Sequence, residues 1–214
     1  MKLLIGIDKT QLISTEAELR SLLGFPGERV IKKVISELDH NCREFIAKSP
    51  FLTVSTSNAE GKCDASPRGD APGFVHVLDD KHLVIPERPG NKRIDTLRNI
   101  LENPHVGLQF IVPGLGETLR INGRASITKD EVLLQSMAVQ GRTPLVGIIV
   151  EAEECYMHCA KAFFRSQLWK PETWLDNDQL PSPAKILAEH LNTDGVTEET
   201  VAISLADSYK NRLY

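Results

Sequence analysis

Between Thr118 and Ile127 the chain alternates without a break. Leu119, Ile121, Gly123, Ala125 and Ile127 fall on one side, and Thr118, Arg120, Asn122 and Arg124 on the other. A period of two marks a strand with one buried face and one open face. Such a strand needs ladder partners for its backbone and a core beneath its apolar face. The neighbouring sequence supplies both. Phe51 to Ser57 and Lys62 to Arg68 flank a hairpin-like turn at Asn58-Ala59-Glu60-Gly61. Phe74 to Leu78 and His82 to Pro86 flank Asp79-Asp80-Lys81. Val106 to Val112 turns through Pro113-Gly114-Leu115-Gly116 into the alternating strand, and Gly147 to Ala152 is a last apolar run. Links this short join antiparallel strands. Six or so strands spaced in this way predict a closed or half-closed barrel.

Helical patterns surround the strands. Thr15-Glu16-Ala17-Glu18 reads as a capping box opening a helix to about Leu23, stopped by Gly24-Phe25-Pro26-Gly27. Val30, Ile31, Val34, Ile35, Leu38, Cys42, Phe45 and Ile46 recur at three- and four-residue steps, which predicts one amphipathic helix from about Glu28 to Lys48. Its plainest role is to cover one side of the sheet. Asn91 to Glu102 can form a short helix with Ile94, Leu97, Ile100 and Leu101 inward. Ala184 to His190 and Glu198 to Tyr209 predict a helical tail. The expected division is therefore N-terminal helices packed on the barrel (1–48), the barrel with a C-terminal arm (49–171), and a helical tail (182–214). The fold class is mainly β, of α+β type.

Composition removes several function classes. A net charge of −4 argues against a general nucleic-acid binder, which would carry a basic face. Four cysteines in 214 residues are too sparse for a disulfide framework. The apolar start MKLLIGIDKTQL is broken by Asp8 and Lys9, and lacks the length of a secretion signal. No run approaches the roughly 18 apolar residues that would suggest a membrane span. These features predict a soluble, cytoplasmic protein with no membrane partner.

Two cationic, turn-rich segments stand out: Ser66-Pro67-Arg68-Gly69-Asp70 and Pro86-Glu87-Arg88-Pro89-Gly90-Asn91-Lys92-Arg93. Arginine holds a phosphate by paired hydrogen bonds, and Gly- and Asn-containing turns let backbone amides approach the same anion. Asn91, Lys92 and Arg93 fall at a predicted helix start, where an anion is favoured. The competing reading is surface charge paired with Glu87, Asp70 and Asp95, and the residues alone leave the two in balance. Arg120 and Arg124 point from the polar face of their strand toward solvent, a ligand or another subunit. Cys155-Tyr156-Met157-His158-Cys159 has thiols and an imidazole but no second ligand pair, which disfavours zinc. His158, Lys161 and Arg165 share a face if the segment is helical. There is no GxSxG elbow, no Walker loop and no GxGxxG.

Taken in order, these blocks resemble the pyridoxamine 5'-phosphate oxidase-like, split-barrel flavin-binding superfamily, and within it a bacterial FMN-dependent subfamily. The blocks are Asp64-Ala65-Ser66-Pro67-Arg68-Gly69-Asp70 with Pro72-Gly73-Phe74-Val75, then Ile85 to Asp95, Asn99 to Pro104, Glu117 to Ala125, and His158 to Trp169. The resemblance implies a six-stranded antiparallel split β-barrel with flanking helices, and a homodimer holding FMN at its interface. It implies phosphate contacts at Ser66, Pro67, Arg68, Ile85, Pro86, Asn91, Lys92 and Arg93, with Arg88 in the same loop. It places Thr118, Leu119 and Arg120 near the flavin ring and, more loosely, His158, Lys161 and Arg165 on an arm lent to the neighbouring subunit. Cys63 and Ile85-Pro86 depart from the vitamin B6 oxidase, as does the lack of its substrate-binding Arg and His pair near Arg165-Ser166-Gln167. The implied activity is an FMN-dependent oxidoreductase acting on a small molecule or NAD(P)H. The alternatives are a non-catalytic flavin-binding module, or a split barrel using F420 or haem.

Overall fold

The computed structural model describes residues 8–214; the apolar start, residues 1–7, lies outside them. The chain divides into two compact units, Met1–Val34 and Ile35–Tyr214.

In the first unit, helix α1 (Glu16–Leu23) begins where the sequence predicts. The Thr15 side chain accepts from the Glu18 backbone N–H, while the Glu18 carboxylate accepts from Ser14 rather than closing the box on Thr15. Gly24 ends the helix at φ 74°, a conformation that a residue without Cβ adopts freely. Helix α2 (Glu28–Lys32) follows.

The single helix expected from Glu28 to Lys48 is not formed. Its second half is a separate helix of the second unit, α3 (His40–Lys48). Asp39 is the reason. Its carboxylate accepts the Cys42 N–H at 2.8 Å and caps a new helix start. The four preceding residues are extended or bent, and Ile35 exchanges both backbone hydrogen bonds with Cys155. A sheet-edge bridge thus replaces a helical turn; α3 buries Cys42 and Ile46, whereas Val30 and Ile31 of α2 are exposed.

The second unit is built on one antiparallel sheet. Its strands are β1 (Phe51–Ser57), β2 (Cys63–Gly69), β3 (His76–Val77), β4 (His82–Pro86), β5 (His105–Ile111), β6 (Thr118–Thr128) and β7 (Gly147–His158). Their order is β2-β1-β5-β6-β7-β4-β3. The sheet is not closed by hydrogen bonds, which is the split-barrel arrangement, and it carries seven strands rather than six. The addition is β3, a two-residue strand paired with β4. Leu52 and Val54, Leu83 and Ile85, Leu108 and Phe110, Leu119 and Ile121, and Ile148 and Val150 fill the core from alternate strand positions. Each such side chain contributes roughly 1.5–3 kcal/mol by leaving water.

Helices flank the sheet. Helix α3 buries Cys42 and Ile46, one turn apart, against the core. Helix α4 (Asp95–Glu102) buries Thr96 and Ile100 in the same way. Helices α5 (Glu131–Gln135) and α6 (Lys161–Ser166) precede and follow β7. The predicted tail is present as α7 (Pro183–Leu191) and α8 (Glu198–Asn211), which contact each other. Among the described residues, no helix is long and apolar enough to cross a membrane.

Candidate functional site

Strand β2 is one edge of the sheet and β4 lies near the other, yet their ends meet. Curvature brings Arg68 on β2 to Glu87, the residue after β4, with Nη2 to Oε2 at 3.1 Å. Just beyond, Asp70 meets Arg88 with Oδ2 to Nε at 2.7 Å. Two ion pairs therefore lace the seam that the hydrogen-bond ladder leaves open. A cavity of about 560 Å³ lies along that seam, within the range of small-molecule sites.

Seven of the predicted phosphate residues line this cavity: Ser66, Pro67, Arg68, Pro86, Arg88, Asn91 and Arg93. Asp64, Glu87, Asp95 and Thr96 join them. Lys92 lines an adjoining cavity of about 570 Å³, walled by Ile94, Leu97, Pro144, Leu145, Val146 and Tyr214. Ile85 is fully buried in the core, so its side chain packs the barrel.

The three arginines of these segments differ once their partners are known. Arg88 is held by the scaffold: Nε on Asp70, Nη1 on the Met137 carbonyl at 3.0 Å, and the guanidinium 5.8 Å from the Tyr214 ring centroid. Arg93 is exposed and donates to Asp95 at 2.7 Å, which strengthens its hold on its proton. Arg68 is half engaged. Its Nη1 donates to Ser66 Oγ at 2.6 Å and to the Pro67 carbonyl at 3.0 Å. Its Nε is buried with no partner. The surface-charge reading named Glu87, Asp70 and Asp95 as partners, and all three pairs are present.

The carboxylates are tuned in opposite senses. Burial works to raise the Asp70 pKa, but the Ala71 N–H, the Tyr214 hydroxyl and Arg88 together hold it below the usual value. Burial pushes the Glu87 carboxyl up, and Arg68 offsets only part of this. Asp64 accepts the Thr96 hydroxyl at 2.7 Å, which ties α4 to β2.

Asn91, Lys92 and Arg93 precede α4 rather than forming its first turn. Lys92 (φ 62°) and Ile94 (φ 54°) are left-handed, and Ile94 is the N-cap. A β-branched residue in that region is strained, and such strain concentrates at functional loops. Ile94 offers no side-chain hydrogen bond to the helix, so the first N–H groups of α4 have no capping side chain beside the cavity.

The remaining predicted residues do not reach this cavity within one chain. Thr118 is buried and accepts a weak 3.5 Å contact from Gln109. Leu119 is core. Arg120 is exposed and stands 5.8 Å from the Tyr156 ring centroid. The expected helical stripe of His158, Lys161 and Arg165 is broken, because His158 ends β7 opposite Thr118 and only Lys161 and Arg165 lie on α6. Hydrogen bonding carries β7 six residues beyond the predicted Ala152, since β6 is long enough to pair with all of it. Thr118, Arg120, His158, Lys161 and Arg165 make up a second group by their place in the fold, on the end of β6, the end of β7 and α6. Among the described residues, no group of His, Cys, Asp and Glu is arranged to hold a metal ion.

Sequence reasoning missed Thr96, Leu213 and Tyr214. The Tyr214 hydroxyl donates to Asp70 at 2.8 Å, Arg142 donates to the Tyr214 carbonyl, and Leu213 lines the seam cavity. No local pattern foretells a contact across 144 residues.

The family model described as pyridoxamine 5'-phosphate oxidase matches residues 38–159, more than half of the chain. A search of curated proteins finds no significant match. Among solved structures, HupZ of Group A Streptococcus is 21% identical, covering 54% of this chain and 89% of its own, with a TM-score of 0.44. A putative pyridoxamine 5'-phosphate oxidase from Lactobacillus delbrueckii is 19% identical, covering 57% and 95%, with a TM-score of 0.45. An FMN-binding protein from Syntrophomonas wolfei is 11% identical, covering 55% and 88%, with a TM-score of 0.42.

Proposed function

From the premise that the chain belongs to the pyridoxamine 5'-phosphate oxidase family, we propose that it binds FMN and is an FMN-dependent oxidoreductase. Its substrate would be a small organic molecule or a nicotinamide. One observation carries the cofactor assignment. Arg68, the central cation of the seam cavity, keeps a buried Nε with no hydrogen-bond partner. A buried guanidinium N–H without an acceptor costs free energy, and a phosphate oxygen would satisfy it.

The residues present fit a phosphate. Arg68 supplies the fixed charge. Its guanidinium is oriented by Ser66 and the Pro67 carbonyl, so little ordering is lost on binding. Arg93 lies exposed on the rim, paired with Asp95, and the uncapped start of α4 supplies N–H groups. Arg88 serves the scaffold instead. It holds Asp70 and the chain after α5, and so keeps the seam in shape.

Bound FMN supplies a ring that accepts or gives a hydride, so the protein must bind, orient and tune rather than furnish a nucleophile. In this reading the phosphate-side cluster holds the cofactor, while Arg120, His158, Lys161 and Arg165 face its ring from a second copy of the chain, and the buried Thr118 lies beneath them. Pyridoxal phosphate synthesis gains no support, because the oxidase's carboxy-terminal Arg and His pair is not reproduced in Arg165-Ser166-Gln167-Leu168-Trp169.

Purified protein should show the flavin absorption bands and take up added FMN. Replacing Arg68 and Arg93 together by Ala should abolish retention. Protein that takes up no FMN, or that retains it unchanged after both substitutions, would overturn the assignment. Titration with F420 and haem in parallel separates the cofactor classes. Reduction by NADH or NADPH separates an enzyme from a non-catalytic carrier.

A further inference from the structure

Resting on the phosphate reading above, we propose that Glu87 is the carboxylate that a phosphate group must displace from Arg68, and that this displacement is accompanied by uptake of a proton on Glu87. The residue would then set both the affinity of the cavity and its dependence on ligand charge.

The Nε and Nη2 hydrogens point to the same side of a guanidinium and form the fork that takes two oxygens of one oxyanion. In Arg68 the Nη1 group, on the other side, is satisfied by Ser66 and Pro67. The fork itself meets Glu87 through one contact, Nη2 to Oε2 at 3.1 Å. That contact is not aligned as a hydrogen bond: Nε has no acceptor and Glu87 Oε2 has no donor, although both are buried. Glu87 therefore neutralises Arg68 without satisfying it. A tetrahedral oxyanion seated on the fork would do both, and it would take the place of that carboxylate.

Charge balance then decides what becomes of Glu87. The groups around it are Arg68 and Asp64 from β2, Asp70 beyond it, Arg88 beside it, and Arg93 and Asp95 at the start of α4. Lys92, Arg142 and Tyr214 stand in the adjoining cavity, which Glu87 also lines. Arg88 is committed to Asp70 and Arg93 to Asp95. Asp64 is held by Thr96. The arginines Arg68, Arg88 and Arg93 are already matched by Asp64, Asp70, Glu87 and Asp95, which leaves the seam no surplus positive charge for a dianion. An ionised Glu87 losing its counter-ion beside a phosphate would face like charge in a half-buried place. Protonation removes that repulsion. Glu87 is the carboxylate suited to it: its side chain is 26% exposed, burial already favours its neutral form, and its ion-pair partner is the one surrendered. Asp70 is held ionised by the Ala71 N–H, Tyr214 and Arg88.

Ligand binding favours protonated Glu87 and so raises its pKa; affinity rises as pH falls through the pKa of Glu87 in the complex and levels off below its pKa in the free protein. The phosphate's own second ionisation, near pH 6, works the other way. Comparing Glu87→Gln with the unaltered protein cancels that ligand effect, because Gln keeps the shape and mimics the protonated acid.

The test measures FMN affinity by flavin fluorescence from pH 5.5 to 8.5 in both proteins, with proton uptake by calorimetry in buffers of different ionisation enthalpy. At pH 7.5 Glu87→Gln should bind FMN about tenfold more tightly and lose the proton uptake, and the advantage should shrink toward low pH. Riboflavin, which lacks the phosphate, should show no such difference. Sulfate, whose charge is constant over this range, should bind the unaltered protein more tightly at low pH, its inhibition constant being corrected for the FMN affinity at each pH, a result that needs no variant. An affinity ratio that stays constant with pH, or a sulfate inhibition constant independent of pH, would overturn the proposal while leaving FMN binding intact. Failure of FMN, sulfate and phosphate to bind at any pH would overturn the phosphate reading along with it.

Discussion

Arg88 and Asp70 show how a single pair can be structural inside a candidate binding site. The Asp70 side chain is 2% exposed and Arg88 15%. Removing one member leaves the other buried without its counter-ion. Asp70→Ala should therefore destabilise the protein by about 3 kcal/mol, read as a lower denaturation midpoint. A change within experimental error would show that water replaces the carboxylate at no cost. The folded-state pKa of Asp70 is depressed, so its contribution is present above the unfolded pKa and is lost as pH falls through the folded value. The acid limb of the stability curve should shift in Asp70→Asn, where this carboxylate no longer titrates. At this scale the sequence named the acids, Glu87, Asp70 and Asp95, but not the pairing, since Arg68 meets Glu87 and Arg88 meets Asp70 across the seam. It did not show which arginine remains open to a ligand. That is decided by the Met137 carbonyl on Arg88 and by the unpartnered Nε of Arg68, and neither has a local sequence signal. Ile94 adds a strained backbone to the same loop. Its side chain is mostly exposed, and Asn tolerates the left-handed region better. Ile94→Asn should raise stability by up to about 1 kcal/mol in thermal melts. A loss would mean that its contacts with the cavity walls outweigh the strain.

Strand β6 carries the alternation that made the fold legible, and its burial follows that pattern from Leu119 to Ala125. The exception is Thr118, placed on the polar face by period yet buried, with Gln109 of β5 reaching its hydroxyl. The alternation also conceals an irregularity. The register between β6 and β7 shifts between Asn122 and Gly123. A Cβ at Gly123 would stand 2.0 Å from the Glu151 carbonyl oxygen and 3.2 Å from the Ala152 Cα. Those atoms belong to the backbone of a central strand, and they cannot move without breaking the ladder. Gly123→Ala should cost about 3 kcal/mol or more and lower the melting temperature accordingly. A variant as stable as the unaltered protein would show that the bulge relaxes. The helix expected from Glu28 to Lys48 failed for a related reason. The apolar spacing runs across Asp39 without interruption, so it gives no sign that a new helix is capped there, and Val30 and Ile31 before the break are exposed.

At the scale of the whole molecule, the candidate residues fall into two clusters that one chain does not join. Ser66, Arg68, Asn91 and Arg93 line the seam cavity, whereas Thr118, Arg120, His158, Lys161 and Arg165 lie at the β6–β7 end. Sequence order could place each residue on its strand or helix, but the distance between clusters depends on how the sheet curves. If two copies complete each site, the clusters act across subunits and the protein is a homodimer with two sites. Two variants then test the arrangement. Arg68→Ala with Arg93→Ala disables the seam cluster, and Arg120→Ala with Lys161→Ala disables the other. Each variant alone should lose FMN binding as a homodimer. Unfolded and refolded together, they should regain it, because a mixed dimer has one site with both clusters intact. Random pairing makes half the dimers mixed, so about a quarter of all sites should recover, counted by bound flavin. No recovery from well-folded mixed dimers would confine the site to one subunit. Full retention of FMN by Arg120→Ala with Lys161→Ala would remove the second cluster from it.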